Sequence, residues 1–135
     1  MKLIVFILSF VCLSTVCLAQ NKDSTMVLKT IKASYYANKF EGRKTASGVR
    51  YREALYTAAH KTLPFGTLVM VTNPLNGKFI RVLINDRGPF GKGLSLDLSK
   101  AAAKAIGLFG RGVGMVDMSY FLPAKKEKAS KDNIN

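Results

Sequence analysis

Between Thr67 and Ile84 the chain runs apolar, turns, and runs apolar again. The first run, Thr67 to Thr72 (TLVMVT), is β-rich and too short for a helix, so it reads as a buried strand. Asn73-Pro74-Leu75-Asn76-Gly77 follows, and Asn-Gly supplies the positive-φ positions of a tight turn. Lys78 to Ile84 returns. These three pieces predict a hairpin, which commits the centre of the chain to β-structure.

The remainder is punctuated in the same way. Over Lys29 to Phe40, Ile31, Ala33, Tyr35 and Ala37 alternate with Lys32, Ser34, Tyr36 and Asn38, the period of a strand. Residues 41–53 (EGRKTASGVRYRE) carry charge, glycine and hydroxyls with little apolar content, the mark of a long polar loop. Such loops inside compact domains are often functional. Leu94 to Leu98 alternates briefly, and Gly112 to Leu122 reads as a strand closed by Pro123. A single helix is predicted, from Lys100 to Ile106. Ser99 is placed to accept a free first-turn N–H, and Gly107 ends the helix in the left-handed conformation. Short strands, one or two short helices and many turn glycines predict a small, mainly β barrel.

The ends read differently. Met1-Lys2 opens with positive charge, Leu3 to Leu13 is almost wholly apolar, and Cys17-Leu18-Ala19 offers a small-residue cleavage site. That is the pattern of a secretory signal peptide over 1–19; the rival reading is an uncleaved anchor. Residues 20–30 are polar and read as a flexible lead-in, 31–123 as the folded domain, and 124–135 as a disordered, Lys-rich tail. Both cysteines, Cys12 and Cys17, fall in the signal, so the exported chain must hold its core without disulfides. No stable membrane insertion is expected once the signal is removed.

The formal charge of +13 attracts polyanions without naming one. Nucleic acid is not supported beyond charge: there is no Cys/His finger, basic helix or aromatic RNA-binding motif. For an exported chain the other candidates are cell-wall polymers and lipid head groups.

Candidate chemistry sits where the returning strand ends, at Asn85-Asp86-Arg87-Gly88-Pro89-Phe90. A rigid strand end presenting a polar loop is a common place for binding and catalytic groups. Asp86 can be a turn carboxylate, paired with Arg87 or accepting turn N–H groups. It can equally be a general acid/base, provided Arg87 points away, because an adjacent cation lowers a carboxyl pKa. His60 is the sole histidine and reads either as a turn cap or as a partner to Asp86. Without cysteines or a second histidine no zinc site is expected. Asp97 reads as support for the helix cap, and Glu41 and Glu53 as solvated.

Taken in order, Ala33-Ser34-Tyr35-Tyr36, Thr45-Ala46-Ser47-Gly48, Ala58-Ala59-His60-Lys61-Thr62-Leu63-Pro64-Phe65-Gly66-Thr67, Val71-Thr72-Asn73, Asn76-Gly77, Asn85 to Phe90, and Leu96-Asp97-Leu98-Ser99 with Ala101-Ala102 resemble rare lipoprotein A (RlpA-like) domains. The resemblance covers about residues 31–122. It implies a six-stranded double-psi β-barrel and lytic transglycosylase action on peptidoglycan, between N-acetylmuramic acid and N-acetylglucosamine, with a 1,6-anhydro product. It implies glycan strands as partner, no cofactor or metal, a monomer, and a place in the periplasm or cell envelope. Asp86 matches the family's catalytic acid and His60 its active-site histidine, with Asn85, Arg87, Tyr36, Thr45 and Ser47 as substrate-binding residues. One position departs. The family pattern commonly has glutamate directly after the Thr-Ala-(Ser/Asn)-Gly block, and here stands Val49. Glu41 or Glu53 could replace it only if the loop folds back. The alternative is a non-catalytic, expansin-like module that binds or loosens wall glycan.

Overall fold

The computed structural model describes residues 24–123; the signal peptide read over 1–19 and the tail read over 124–135 lie outside them. The elements are β1 (Ser24–Tyr35), β2 (Thr57–His60), β3 (Leu68–Thr72), β4 (Phe79–Asp86), β5 (Leu96–Leu98), α1 (Lys100–Ala105) and β6 (Gly114–Pro123). A single 3-10 turn, Asn38–Phe40, follows β1. The strands close into a six-stranded barrel in the order β1-β5-β2-β4-β3-β6, the mainly β class read from the sequence.

The β3–β4 hairpin forms with Leu68 opposite Leu83 and Thr72 opposite Phe79. Asn73 ties its turn together: its N–H donates to Lys78 O, and its own carbonyl accepts from Gly77, which has φ 70°. Alternation sends Val69, Val71, Val82 and Ile84 inward, where they are fully buried. Leu96, Leu98, Val116 and Met118 meet them. Each such aliphatic side chain contributes roughly 1.5–3 kcal/mol by leaving water, so the barrel interior carries most of the stability.

Helix α1 is as short as its signals dictate. Ser99 Oγ accepts the Ala102 N–H at 3.3 Å, and Gly107 follows at φ 71°. The carbonyl of Ile106 accepts from Asn73 Nδ2 (2.8 Å) and Asn76 Nδ2 (3.1 Å), which pins the helix to the hairpin turn. A Cβ at position 107 would stand 2.8 Å from Asn76 Nδ2, so glycine is required there on two counts.

The lead-in read over 20–30 needs correction. From Ser24 onward it is strand, paired antiparallel with β6 in continuous register from Ser24–Pro123 to Ala33–Gly114. Val27 and Ile31 pack against the core. Lys29 occupies the inward-phase position between them, which breaks the apolar alternation and hides the strand. The other end of the predicted strand is also trimmed: β1 stops at Tyr35, and Asn38 to Phe40 turn away. Among the described residues no helix is long and apolar enough to cross a membrane.

Candidate active site

Strand β2 lies between β4 and β5, parallel to the first and antiparallel to the second. Its Ala59 is register partner to Asp86 on one side and to Asp97 on the other. Strands lie about 4.8 Å apart, so the two aspartates are set roughly 10 Å apart at Cα. Both carboxylates line one cleft of about 420 Å³, together with Tyr36, Phe40, Arg43, Lys44 and Phe90.

Asp86 is held by three donors. Tyr36 Oη donates to Oδ2 at 2.6 Å. The N–H groups of Ala46 and Arg87 donate to Oδ1 at 2.8 and 2.9 Å. Burial, and then the donated bond to Asp86, raise the Tyr36 pKa well above the phenolic range, so its hydroxyl keeps its proton. The Tyr36 ring is stacked on Tyr51 with centroids 4.4 Å apart and meets Phe40 edge-on at 5.7 Å.

The Thr45-Ala46-Ser47-Gly48 block is the device that brings the Ala46 N–H to Asp86. Thr45 N–H and Oγ1 both donate to Val49 O at 2.8 Å, and Gly48 N–H donates to Thr45 O. The Thr45 and Ser47 hydroxyls lie 2.9 Å apart, and Ser47 N–H donates to Asn85 O. Thr45 lines the cleft but is buried with its hydroxyl in the turn. Ser47 and Asn85 are not among the residues that line the cleft.

Arg87 turns away from the Asp86 carboxylate. Its Nη1 donates to the carbonyls of Leu63 (2.8 Å) and His60 (3.3 Å), and its guanidinium lies 3.9 Å above the Phe65 ring. His60 is in the same turn. Its Nδ1 accepts the N–H groups of Thr62 and Leu63 at 3.1 and 3.0 Å, which places its proton on Nε2 in the neutral form. Burial, then the charges of Lys29, Arg87 and Lys61, lower its pKa. His60 thus caps its own turn through Nδ1, and it is not among the residues that line the cleft.

Position 49 is not in the lining either; the Val49 side chain is 52% exposed. Neither Glu41 nor Glu53 folds into the cleft. Glu41 accepts from Glu53 N–H and pairs with Arg52, while Glu53 pairs with Lys100. The second carboxylate is Asp97, which the sequence reading assigned to helix support. Its signal was present: between the buried Leu96 and Leu98, period two forces Asp97 to the opposite face. Burial raises its pKa to about 6; the Asp86 charge adds to this, and the hydroxyl of Ser34, donating to Oδ1 at 3.1 Å, opposes it.

The chain is a small closed six-stranded barrel whose open, aromatic-walled cleft presents two carboxylates among cationic side chains. The family model described as lytic transglycolase matches residues 28–120, and the chain belongs to that family. Its curated relatives include the endolytic peptidoglycan transglycosylase RlpA of Pasteurella multocida, 63% identical over 84 residues, 62% of this chain and 29% of that protein. RlpA of Haemophilus influenzae is 48% identical over 108 residues, 80% of this chain and 38% of that protein. The chain therefore spans well under half the length of these relatives. Among solved structures, the Streptomyces papain inhibitor superposes with TM-score 0.57 at 27% identity, covering 71% of this chain and 94% of that one. The expansin of Clavibacter michiganensis does so with TM-score 0.52 at 22% identity, over 74% of this chain and 52% of that one, and shares the fold.

Proposed function

We propose that the protein is a lytic transglycosylase that cleaves peptidoglycan glycan strands between N-acetylmuramic acid and N-acetylglucosamine, acting in the cell envelope after export. The observation that carries this reading is the placement of Asp86 and Asp97 in one cleft, on either side of Ala59. Family membership and the peptidoglycan transglycosylase names of the relatives support it.

The chemistry assigns the carboxyls different work. Asp97, with its pKa raised to about 6, keeps its proton to a higher pH than an ordinary carboxyl and so serves as the acid. It donates that proton to the glycosidic oxygen as the bond to C1 of the muramic residue breaks and C1 gains oxocarbenium character. Asp86, fixed by three donors, presents negative charge to that cation. The muramic 6-hydroxyl then attacks C1, and its proton returns to Asp97. The product is the 1,6-anhydro sugar, no water is consumed, and the carboxyls end as they began. The acid role that the motif match gives to Asp86 thus moves to Asp97, while Asp86 stays in direct reach of the reacting sugar.

The other matched residues act through these two. Tyr36, Thr45, Ser47 and Asn85 build the cradle of Asp86. Arg87 and His60 lock the 60–63 turn beside it. Arg43 and Lys44, with Phe40 and Phe90, remain for the glycan: cations for its carboxylates and ring faces for its sugars.

The test is digestion of purified sacculi by the exported chain, with products separated by chromatography. Release of 1,6-anhydromuropeptides, lost in both Asp86→Asn and Asp97→Asn while each still folds, supports the reading. Binding to sacculi with no release overturns it and leaves a non-catalytic wall-binding module.

A further inference from the structure

One wall of the barrel carries an apolar row that neither the core nor the cleft uses. Leu83 on β4 is the register partner of Leu68 on β3. Val69 pairs with Tyr120, so Leu68 lies beside Phe121 on β6, and the two line the same surface depressions. Phe121 in turn pairs with Met26 on β1. Each points outward, because Val82, Val69 and Tyr120 next to them are buried and Val27 packs against the core. Leu68, Phe121 and Met26 are more than half exposed. The adjacent row continues with Met70 and Leu28. A contiguous exposed apolar band across four strands marks an interaction surface.

Three features identify its occupant. First, the wall is poor in acid. Of the acidic residues described, Glu41 and Glu53 belong to the 41–53 loop and Asp86 and Asp97 to the cleft. Only Asp117 stands on the wall, bonded by the Thr30 hydroxyl at 2.6 Å. Second, Arg81 is the register partner of Met70 and lines the same depression as Leu68 and Phe121. Third, Ser24 and Pro123 are register partners two positions beyond Met26–Phe121. The sequence that follows, with Lys125, Lys126, Lys128 and Lys131 against Glu127 and Asp132, therefore starts at the edge of this band.

A second copy would bring an apolar face but the same strongly positive charge, and like fields repel. A glycan brings hydroxyls rather than alkyl surface. An anionic bilayer brings both negative charge and an apolar interior, and peripheral binding scales with buried apolar area plus attraction to anionic lipid. We propose that the Leu83–Leu68–Phe121–Met26 wall docks on an anionic phospholipid surface.

Co-sedimentation of the exported chain with phosphatidylglycerol or phosphatidylcholine vesicles, without glycan, tests this apart from catalysis. The wild type should pellet with phosphatidylglycerol and not with phosphatidylcholine. Leu68→Glu with Phe121→Glu should bind about tenfold more weakly. Leu55→Glu with Leu75→Glu, the same charge change at two exposed positions off this wall, should stay within about twofold. If the paired glutamates lower the melting temperature, Met26→Ser with Phe121→Ser removes the apolar area without adding charge and takes their place. Failure of the wild type to pellet overturns the proposal. So does a wall variant that loses no more than Leu55→Glu with Leu75→Glu, since charge alone would then hold the protein. Sedimentation velocity showing a vesicle-free dimer that the paired variant dissociates also overturns it, in favour of a second copy.

Discussion

Asp86 and Asp97 are register partners of the same residue, Ala59, from opposite sides. They are eleven positions apart in sequence but are held one strand's width to either side of a small, buried side chain. Their separation is set by the sheet and not by a loop. Replacing either carboxylate should therefore change chemistry and stability in ways that can be told apart.

Asp97→Asn is expected to slow glycan cleavage severely and to make the protein more stable at neutral pH. The folded state holds the Asp97 proton with a pKa of about 6 against an ordinary 3.8. A raised carboxyl pKa means that the folded state binds the proton more tightly than the unfolded one. The cost is absent below pH 3.8, grows as pH rises to about 6, and then levels at roughly 3 kcal/mol. The amide carries no such cost and keeps an oxygen for the Ser34 hydroxyl. Thermal melts of wild type and variant should coincide at pH 3.5, separate as pH rises to about 6, and keep that gap above it. Activity should fall by ~10²–10⁴-fold.

Asp86→Asn should lose activity and lose stability as well. Both Asp86 oxygens accept hydrogen bonds. An NH₂ in place of either faces a donor with a donor, which costs about 1–3 kcal/mol. A lower melting temperature here beside a higher one for Asp97→Asn, measured at pH 7.5, is the signature of their different settings.

The pH profile follows from the same group. If Asp97 must carry the proton that the leaving oxygen takes, kcat/KM on soluble glycan falls as pH rises through about 6. The Asp97→Asn variant should show no such limb in its residual rate. A wild-type rate that is flat from pH 5 to 8 would remove Asp97 from the proton-donor role.

How far the sequence discloses this site depends on the kind of signal each residue leaves. The β3–β4 hairpin, the cap at Ser99 and the stop at Gly107 were legible because each rests on contacts within a few residues. Asp86 was legible as a carboxylate at a strand end. Asp97 was not, because its partnership with Asp86 arises from β2 pairing with β4 and β5, a long-range arrangement that no local pattern encodes. The first turns of β1 were hidden for a related reason: Lys29 breaks the apolar alternation that pairing with β6 overrides. His60 illustrates the converse. Its motif match was clear, yet which ring nitrogen was engaged, and by which N–H groups, depended on the turn at Thr62 and Leu63.

Restoring the family residue at position 49 should change little. Val49 is tied by its carbonyl to Thr45 while its side chain is exposed and outside the cleft lining. Val49→Glu is expected to leave cleavage within about twofold at saturating and limiting glycan. A gain of an order of magnitude would mean that the 41–53 loop closes over the glycan and carries position 49 in with it.

Phe90 should separate binding from chemistry. Its ring is 85% exposed at the cleft rim and belongs to the cleft lining. An aromatic of that size left in water is costly unless something covers it, and the flat face of a pyranose suits it. Phe90 donates no proton and holds neither carboxylate; its side chain is not a partner in the Tyr36, Ala46 or Arg87 bonds to Asp86. Phe90→Ala should therefore raise KM for glycan by about 5–20-fold, the loss of roughly 1–2 kcal/mol of ring burial, with kcat within about threefold and the melting temperature unchanged. Phe90→Trp, which widens the stacking face, should hold KM at or below the wild-type value. If kcat falls with Phe90→Ala while KM stays constant, the ring acts on the reacting sugar itself rather than on the glycan flanking it.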